Sequence, residues 1–338
     1  MDTAHRLFIL AVEEMNFTKA AQRGFVTQQC LSSNIKKLET KYRVKLFDRT
    51  PHLTLTLAGA ALYETLRQIG MIEDGFHKRI RDIGEGSSGN IAFGINSSRA
   101  RLLLPGFFEG YHEKFPLVEV STILDDTTNM VEKMLRGDLD LFLGIDCPAN
   151  AQLEATPVTH DTVYLIATQP FLQKWYQADA ATDTAEGPLD LHRFPNMPFV
   201  GTNSVSTTNQ LIRRYLDAQN ICPNQIFSIS DYETQISLCG RHMVAAFCPK
   251  LVLKQVILYN RLHPDQEPVR IFHLRNMRES TRIELIRPRG IYAPLYLEQF
   301  VKMMRDYLLV YSEGIQSSME PYLEKRYLPA KSADTIRP

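Results

Sequence analysis

Several kinds of segment are missing from this chain of 338 residues, and each absence removes a class of function. No apolar run is long enough to cross a bilayer, so no membrane partner is expected. The opening MDTAHRLFILAVEEMNF carries an apolar patch, but Glu13 and Glu14 interrupt it and no small-residue cleavage site follows. It reads as a mature helix rather than a signal peptide, and the chain is expected in the cytoplasm. Dinucleotide-binding glycine loops, phosphate-binding loops, nucleophile elbows and HExxH helices are all lacking. His160 and Asp161 adjoin, but no third group completes an acid–base set, and they read as a surface pair. No enzyme and no cofactor are expected. Cysteine is scarce: Cys30, Cys147, Cys222, Cys239 and Cys248 are an odd number, and none forms the CxxC pair of a zinc site. Cys239 and Cys248 read as small buried apolar residues in preference to a redox couple.

Net charge is missing too, with 38 basic residues against 38 acidic, which argues against indiscriminate coating of nucleic acid. The distribution is uneven. Residues 1–60 carry a balance of +4, leaving −4 for the rest. A basic head on an acidic body suits a DNA reader with a separate sensing part, and the length allows two or three domains.

Within the head, Leu7, Phe8, Leu10, Ala11, Val12 and Met15 give one helical face over residues 6–15. A short helix follows over 18–23, where Ala20 and Ala21 permit close packing, and Gly24 is expected to take the left-handed conformation that ends it. Val26 plugs the turn. Thr27 suits the N-cap of a helix over 28–42, since its hydroxyl can accept a free backbone N–H. Leu31, Ile35 and Leu38 then face inward, leaving Gln28, Gln29, Ser32, Ser33, Lys36 and Lys37 outward. A recognition helix needs this division: short polar groups towards base edges, cations towards phosphates. Residues 48–52 form a turn and 53–56 a short alternating strand, a wing that brings Arg49 and His52 near the DNA backbone or minor groove.

The order FTxAA, TQ, LS, IxxLE, LFDRT and LTxAG resembles the LysR-type transcriptional regulators, through residues 1–60 and on to about 310. The resemblance implies base-edge contacts from Gln28, Gln29, Ser32 and Ser33, and backbone contacts from Thr27 and Arg49. Gln29 stands where the family usually has proline, and Ser33 where arginine is common. Glutamine can pair with adenine, whereas serine loses the bidentate grip on guanine, so the operator should differ from a typical family site. The resemblance also implies a promoter DNA partner, a homodimer within a homotetramer, and contact with RNA polymerase.

Residues 58–83 carry Leu62, Leu66, Ile69, Phe76, Ile80 and Ile83 at steps of three, four and, across Glu73, seven, a coiled-coil seam for a second copy in preference to packing on the same chain. Residues 84–89, GEGSSG, end that helix and make a joint. Strand–helix alternation then implies parallel sheets with helices on both faces. The predicted architecture is a winged helix-turn-helix domain (1–58), a linker helix and hinge (59–88), an α/β effector domain (89–312) and a tail (313–338). The effector domain is type II periplasmic-binding-protein-like. Two doubly wound subdomains, 89–161 with 268–312 and 162–267, enclose its cleft.

Ligands of open sheets meet the carboxyl ends of strands and the helix starts beyond them. That selects Ser97, Ser98, Arg99, Thr127, Thr128, Asn129 and Asp146 from one subdomain, and Thr202, Asn203 and Ser204 from the other. The resemblance places inducers at the same positions, which implies a small metabolite. Hydroxyls at helix starts suit an anion, although they also serve as plain helix caps. No cysteine stands near residue 200, where peroxide-sensing members of the family keep theirs. His242-Met243-Val244 replaces the family's usual Gly-x-Gly. A solute-binding protein would share the cleft but not the head. An architectural DNA protein stays open, and a thermal-shift ligand screen would separate it from a sensor.

Overall fold

The structure, a computed structural model, describes residues 1–50, 52–85, 88–177, 187–202 and 206–324, with backbone alone for 81–85. Expectations on the Ile83 side chain, residues 86–87 of the joint, Asn203, Ser204 and the end of the tail lie outside the described residues.

The head consists of α1 (Thr3–Glu14), α2 (Phe17–Arg23) and α3 (Gln28–Tyr42), then a wing of β1 (Phe47–Asp48) and β2 (Thr54–Leu55). Leu7, Phe8, Ala11, Ala20, Ala21, Leu31, Ile35, Leu38 and Phe47 form its core. The linker α4 (Leu57–Glu85) ends within the GEGSSG segment, of which residues 86 and 87 lie outside the described residues. Leu66, with Leu62 and Tyr63 beside it, packs into the head of its own chain. The seam expected to face a second copy is therefore spent internally over its first two turns. Ile69, Ile72, Phe76 and Ile80 remain exposed on α4.

The first subdomain contains β3 (Gly89–Ile95), α5 (Ser97–Lys114), β4 (Val118–Leu124), α6 (Thr127–Arg136), β5 (Leu141–Ile145) and β6 (Leu153–Thr168). β6 crosses without a break into the second, which adds α7 (Gln169–Trp175), β7 (Pro198–Gly201), α8 (Thr207–Ala218) and β8 (Asn224–Ser228). There follow α9 (Tyr232–Gly240), β9 (Ala245–Pro249), α10 (Leu253–Leu262) and β10 (Val269–Phe272). The chain returns through β11 (Ser280–Pro288) and closes with α11 (Leu295–Met319) and β12 (Leu323–Glu324).

Strand order is β4-β3-β5-β11-β6 in the first subdomain. In the second, β6 lies between β9 and β10, and β7 and β8 follow β9. The pairs β3/β4, β3/β5, β7/β8 and β7/β9 are parallel, as strands joined by helical crossovers are. The crossing strands β6 and β11 are antiparallel members, which alternation alone does not reveal.

Two assignments change. β10 was expected to return to the first subdomain, but it pairs with β6 from Val269–Thr168 to Phe272–Leu165, inside the second sheet. Of β10 and β11, β11 alone returns, against β5 and the first half of β6. The tail was expected to begin at 313, yet α11 continues to Met319 and β12 joins β10. The apolar residues Ile315 and Met319, both buried, explain the continuation.

Candidate functional site

Two surfaces concentrate the polar residues singled out by sequence. On the first, Asn16 caps α2 by accepting from the Thr18 and Lys19 N–H groups at 3.0 and 3.1 Å. Sequence reasoning passed over this residue, although asparagine one position before a helix is a strong start signal. Gly24 is right-handed, with φ −83°. The left-handed residue is Phe25, at φ 54° and 95% exposed. Gly24 is needed for a different reason: a Cβ there would sit 2.8 Å from Leu7 Cδ2 and 3.2 Å from the Ala20 oxygen. Its role is close approach of α1 and α2.

Thr27 Oγ1 accepts from the Cys30 N–H at 3.1 Å, so α3 begins where expected. Leu31, Ile35 and Leu38 are buried, while Gln28, Gln29, Ser33, Lys36 and Lys37 are exposed and Ser32 is half-buried. The amides and hydroxyl at the start of α3 thus form a polar surface on a rigid back. Arg49 is exposed beside this surface with its guanidinium 5.3 Å from the Phe17 ring centroid, a cation–π contact that sets its direction. His52 is exposed on the wing.

The wing is tied from behind. Glu39 Oε1 accepts from the Leu46 N–H at 3.0 Å, and Thr56 Oγ1 donates to the Lys45 oxygen at 2.7 Å. A Cβ at Gly59 would come within 2.2 Å of the Leu46 oxygen, so this glycine lets α4 start against the wing. These contacts explain why LE, LFDRT and LTxAG occur together: they form one corner.

The second surface is the cleft. Ser97 and Ser98 lie in the first turn of α5, whose N-cap is Asn96, accepting from the Arg99 N–H at 3.0 Å. Among the described residues the two serine hydroxyls have no protein partner, and Thr128 is exposed at the start of α6. Arg99 is elsewhere. It is 4% exposed and bonds Asp161 Oδ2 at 2.7 Å. Asp161 Oδ1 also accepts from the Leu251 N–H at 3.1 Å. Asp161, expected at the surface, is 1% exposed on the crossing strand, because the sheet topology supplies a partner 62 residues away. The pair ties α5 to the crossing strand and the turn before α10, while the Arg99 Nε is buried without a hydrogen-bond partner.

Thr127 is also occupied. Its Oγ1 accepts from the Ile145 N–H at 3.1 Å, and from the other side Thr207 Oγ1 donates to the Ile145 oxygen at 3.2 Å. Asp146, at φ 44°, accepts from the Arg282 backbone N–H and Nε at 2.9 and 3.3 Å. Arg282 was not foreseen, and its guanidinium is half exposed. Across the cleft Thr202 Oγ1 meets Ser230 Oγ at 3.1 Å, and Arg101 reaches Asp231 at 3.0 Å. A cavity of about 510 Å³ opens within the second subdomain between α8, β7 and β8. Of the predicted contacts only Thr202 lines it, together with Tyr232 and Gln235 at the start of α9.

The buried cysteines match the bland expectation. Cys239 and Cys248 are fully buried, and burial pushes both thiols up from their ordinary range. Cys147 is pushed up to about 11 by burial and the nearby Glu284 carboxylate. A thiol held protonated is a poor nucleophile. His242 takes φ 59°, the conformation a glycine would adopt, and its Nδ1 is 2.5 Å from Thr168 Oγ1.

Comparison with known proteins converges on one family. Residues 3–60 match the bacterial regulatory helix-turn-helix protein, lysR family, and residues 84–309 match the LysR substrate binding domain. The uncharacterized HTH-type transcriptional regulator YcgK of Bacillus subtilis is 24% identical over 306 residues, covering 87% of this chain and 90% of its own. The HTH-type transcriptional regulator CysL of the same organism is 22% identical over 303 residues, covering 89% and 95%. A full-length OxyR variant from Pseudomonas aeruginosa shares the fold at TM-score 0.60 and 16% identity, over 91% of this chain and 94% of that one. Full-length CbnR complexed with its target DNA shares it at TM-score 0.55 and 18% identity, over 91% and 100%. The chain belongs to the LysR family of transcriptional regulators, and its relatives are regulators rather than enzymes.

Proposed function

We propose, from the premise of a LysR-family regulator, that this chain reads an inverted-repeat promoter site as a dimer and answers to a small anionic effector in its cleft. The observation that carries the reading is the start of α3, where exposed Gln28 and Gln29 stand on a buried apolar back and beside Arg49. Gln28, Gln29, Ser32 and Ser33 meet base edges; Thr27, Lys36, Arg49 and His52 meet the backbone. Exposed Ile69, Ile72, Phe76 and Ile80 on α4 support pairing with a second copy, which would set two heads on a two-fold operator. Tetramer formation and contact with RNA polymerase extend this reading.

In the cleft, Ser97, Ser98 and Thr128 carry the hydroxyls that an anionic group would take, with Thr202 opposite. Arg99, Thr127 and Asp146 hold the walls. We place the boundaries at 1–58 for the head, 59–88 for the linker and 89–324 for the effector domain, with β10 and β12 in the second subdomain. An effector acts by binding one cleft arrangement better than the other.

Footprinting of purified protein on neighbouring promoter regions tests the proposal. Protection of two half-sites separated by about one helical turn, altered by a metabolite, is the expected result. Uniform weak protection of every fragment would contradict it. An architectural protein would protect promoters but show no thermal shift with any ligand in a metabolite screen.

A further inference from the structure

The match to the substrate-binding domain stops at residue 309, yet α11 runs on to Met319, a 3-10 turn spans Glu320–Tyr322, and β12 follows. The early part of α11 is anchored in the first subdomain. Phe300 packs at 5.1 Å from Phe93 and 4.8 Å from Phe107, and Tyr111 donates its hydroxyl to the Tyr296 oxygen at 2.9 Å. Its continuation belongs to the other side. Lys250 donates to Ser312 Oγ at 3.2 Å, and the Lys254 ammonium lies 4.6 Å from the Tyr311 ring centroid. β12 then pairs in parallel with β10 through Ile271–Leu323 and Phe272–Glu324, and Arg270 meets Glu324 at 3.0 Å.

We propose that residues 310–324 are a strap, a further backbone tie between the subdomains besides the two crossing segments and the Arg101–Asp231 and Thr207–Ile145 contacts, which holds the cleft near its resting angle. A rigid helix anchored at one end in the first subdomain cannot follow both bodies when they rotate. Either the β12–β10 pairing opens or the helix bends, so every change of cleft angle works against the strap. Its effect on signalling rests on the cleft reading above; the mechanical tie does not, and the test reads the tie.

Hydrogen exchange on the full-length protein is compared with three variants: a chain ending at Gly314, the substitution Leu323→Pro, and a control chain ending at Glu324. Proline removes the N–H at Leu323 and cannot extend the ladder. The strap predicts ~10-fold faster exchange, in the Gly314 chain and in Leu323→Pro, at β10 and also at the crossing positions Asp161–Thr162 and Ser280–Thr281. The Glu324 chain should match the full length. If only β10 loosens, or nothing does, β12 is mere edge cover and the strap is overturned. Should the Gly314 chain fail to fold, Leu323→Pro decides alone, and the exchange result stands whatever the outcome of promoter binding.

Discussion

The reading head and the sensing body bury their apolar faces by opposite means. In the head the decisive contacts are local: Thr27 caps α3 three residues on, and Arg23 meets Glu14 nine residues back. In the body they are remote: Arg99 finds Asp161 62 residues away, and Cys147 finds Glu284 137 away. Local contacts can be read from spacing and residue type. Remote ones depend on strand order, which no single segment contains. In the proposed reading the same division has a functional side, a locally braced head keeping its shape while the body changes its cleft angle.

The largest effect that would sharpen this contrast comes from the body. Arg99→Ala leaves the Asp161 carboxylate buried without its partner and should cost about 3–5 kcal/mol. Chemical denaturation should show the loss in the body's transition, with the head's unfolding and its affinity for DNA unchanged. A variant as stable as the parent would show that the pair is not the structural tie described above. The head has a counterpart. Leu31→Ala opens a cavity at a fully buried position and should cost roughly 3 kcal/mol, abolishing promoter binding while the effector domain melts as before. Simultaneous loss of both domains would break the claim of independent bracing.

Next in size are the reading residues. Gln28→Ala should lose ~1–3 kcal/mol of discrimination at one base pair of each half-site, measured by competition between operator variants. Arg49→Ala should weaken all sequences alike and lower the salt slope by about 1. In the cleft, Ser98→Ala should weaken the effector response with promoter binding intact, as gel shifts with and without effector would report. Loss of both together would indicate a folding defect. The smallest effect is expected at the cap, where Thr27→Ala should cost ~1 kcal/mol, seen as a lower melting temperature of the head.

Legibility followed the same boundary. The limits of α3, its buried triad and its cap were all set by periodicity and a single hydroxyl, and the structure agrees residue for residue. Gly24 was misassigned because glycine signals both left-handed backbone and close approach; here only the second applies, and Phe25 bears the unusual φ. In the body most strands were legible, but the first half of β6 and β12 were not, and neither were the strands' partners. β10 resembles β11 in composition, and only pairing with β6 assigns it to the second sheet. Asp161 looked solvated because its partner and its covering turn lie elsewhere in the chain. The linker showed both behaviours at once: its apolar stripe was plain, but which turns face the head required Leu62 and Leu66 to be seen against it.

Selection from a pool of random duplexes tests the central claim most directly. The parent protein should enrich a two-fold symmetric site, and Gln28→Ala should enrich one that has lost its preference at a single position in each half. Enrichment of no sequence by the parent, or an identical motif from both proteins, would contradict base reading by the start of α3.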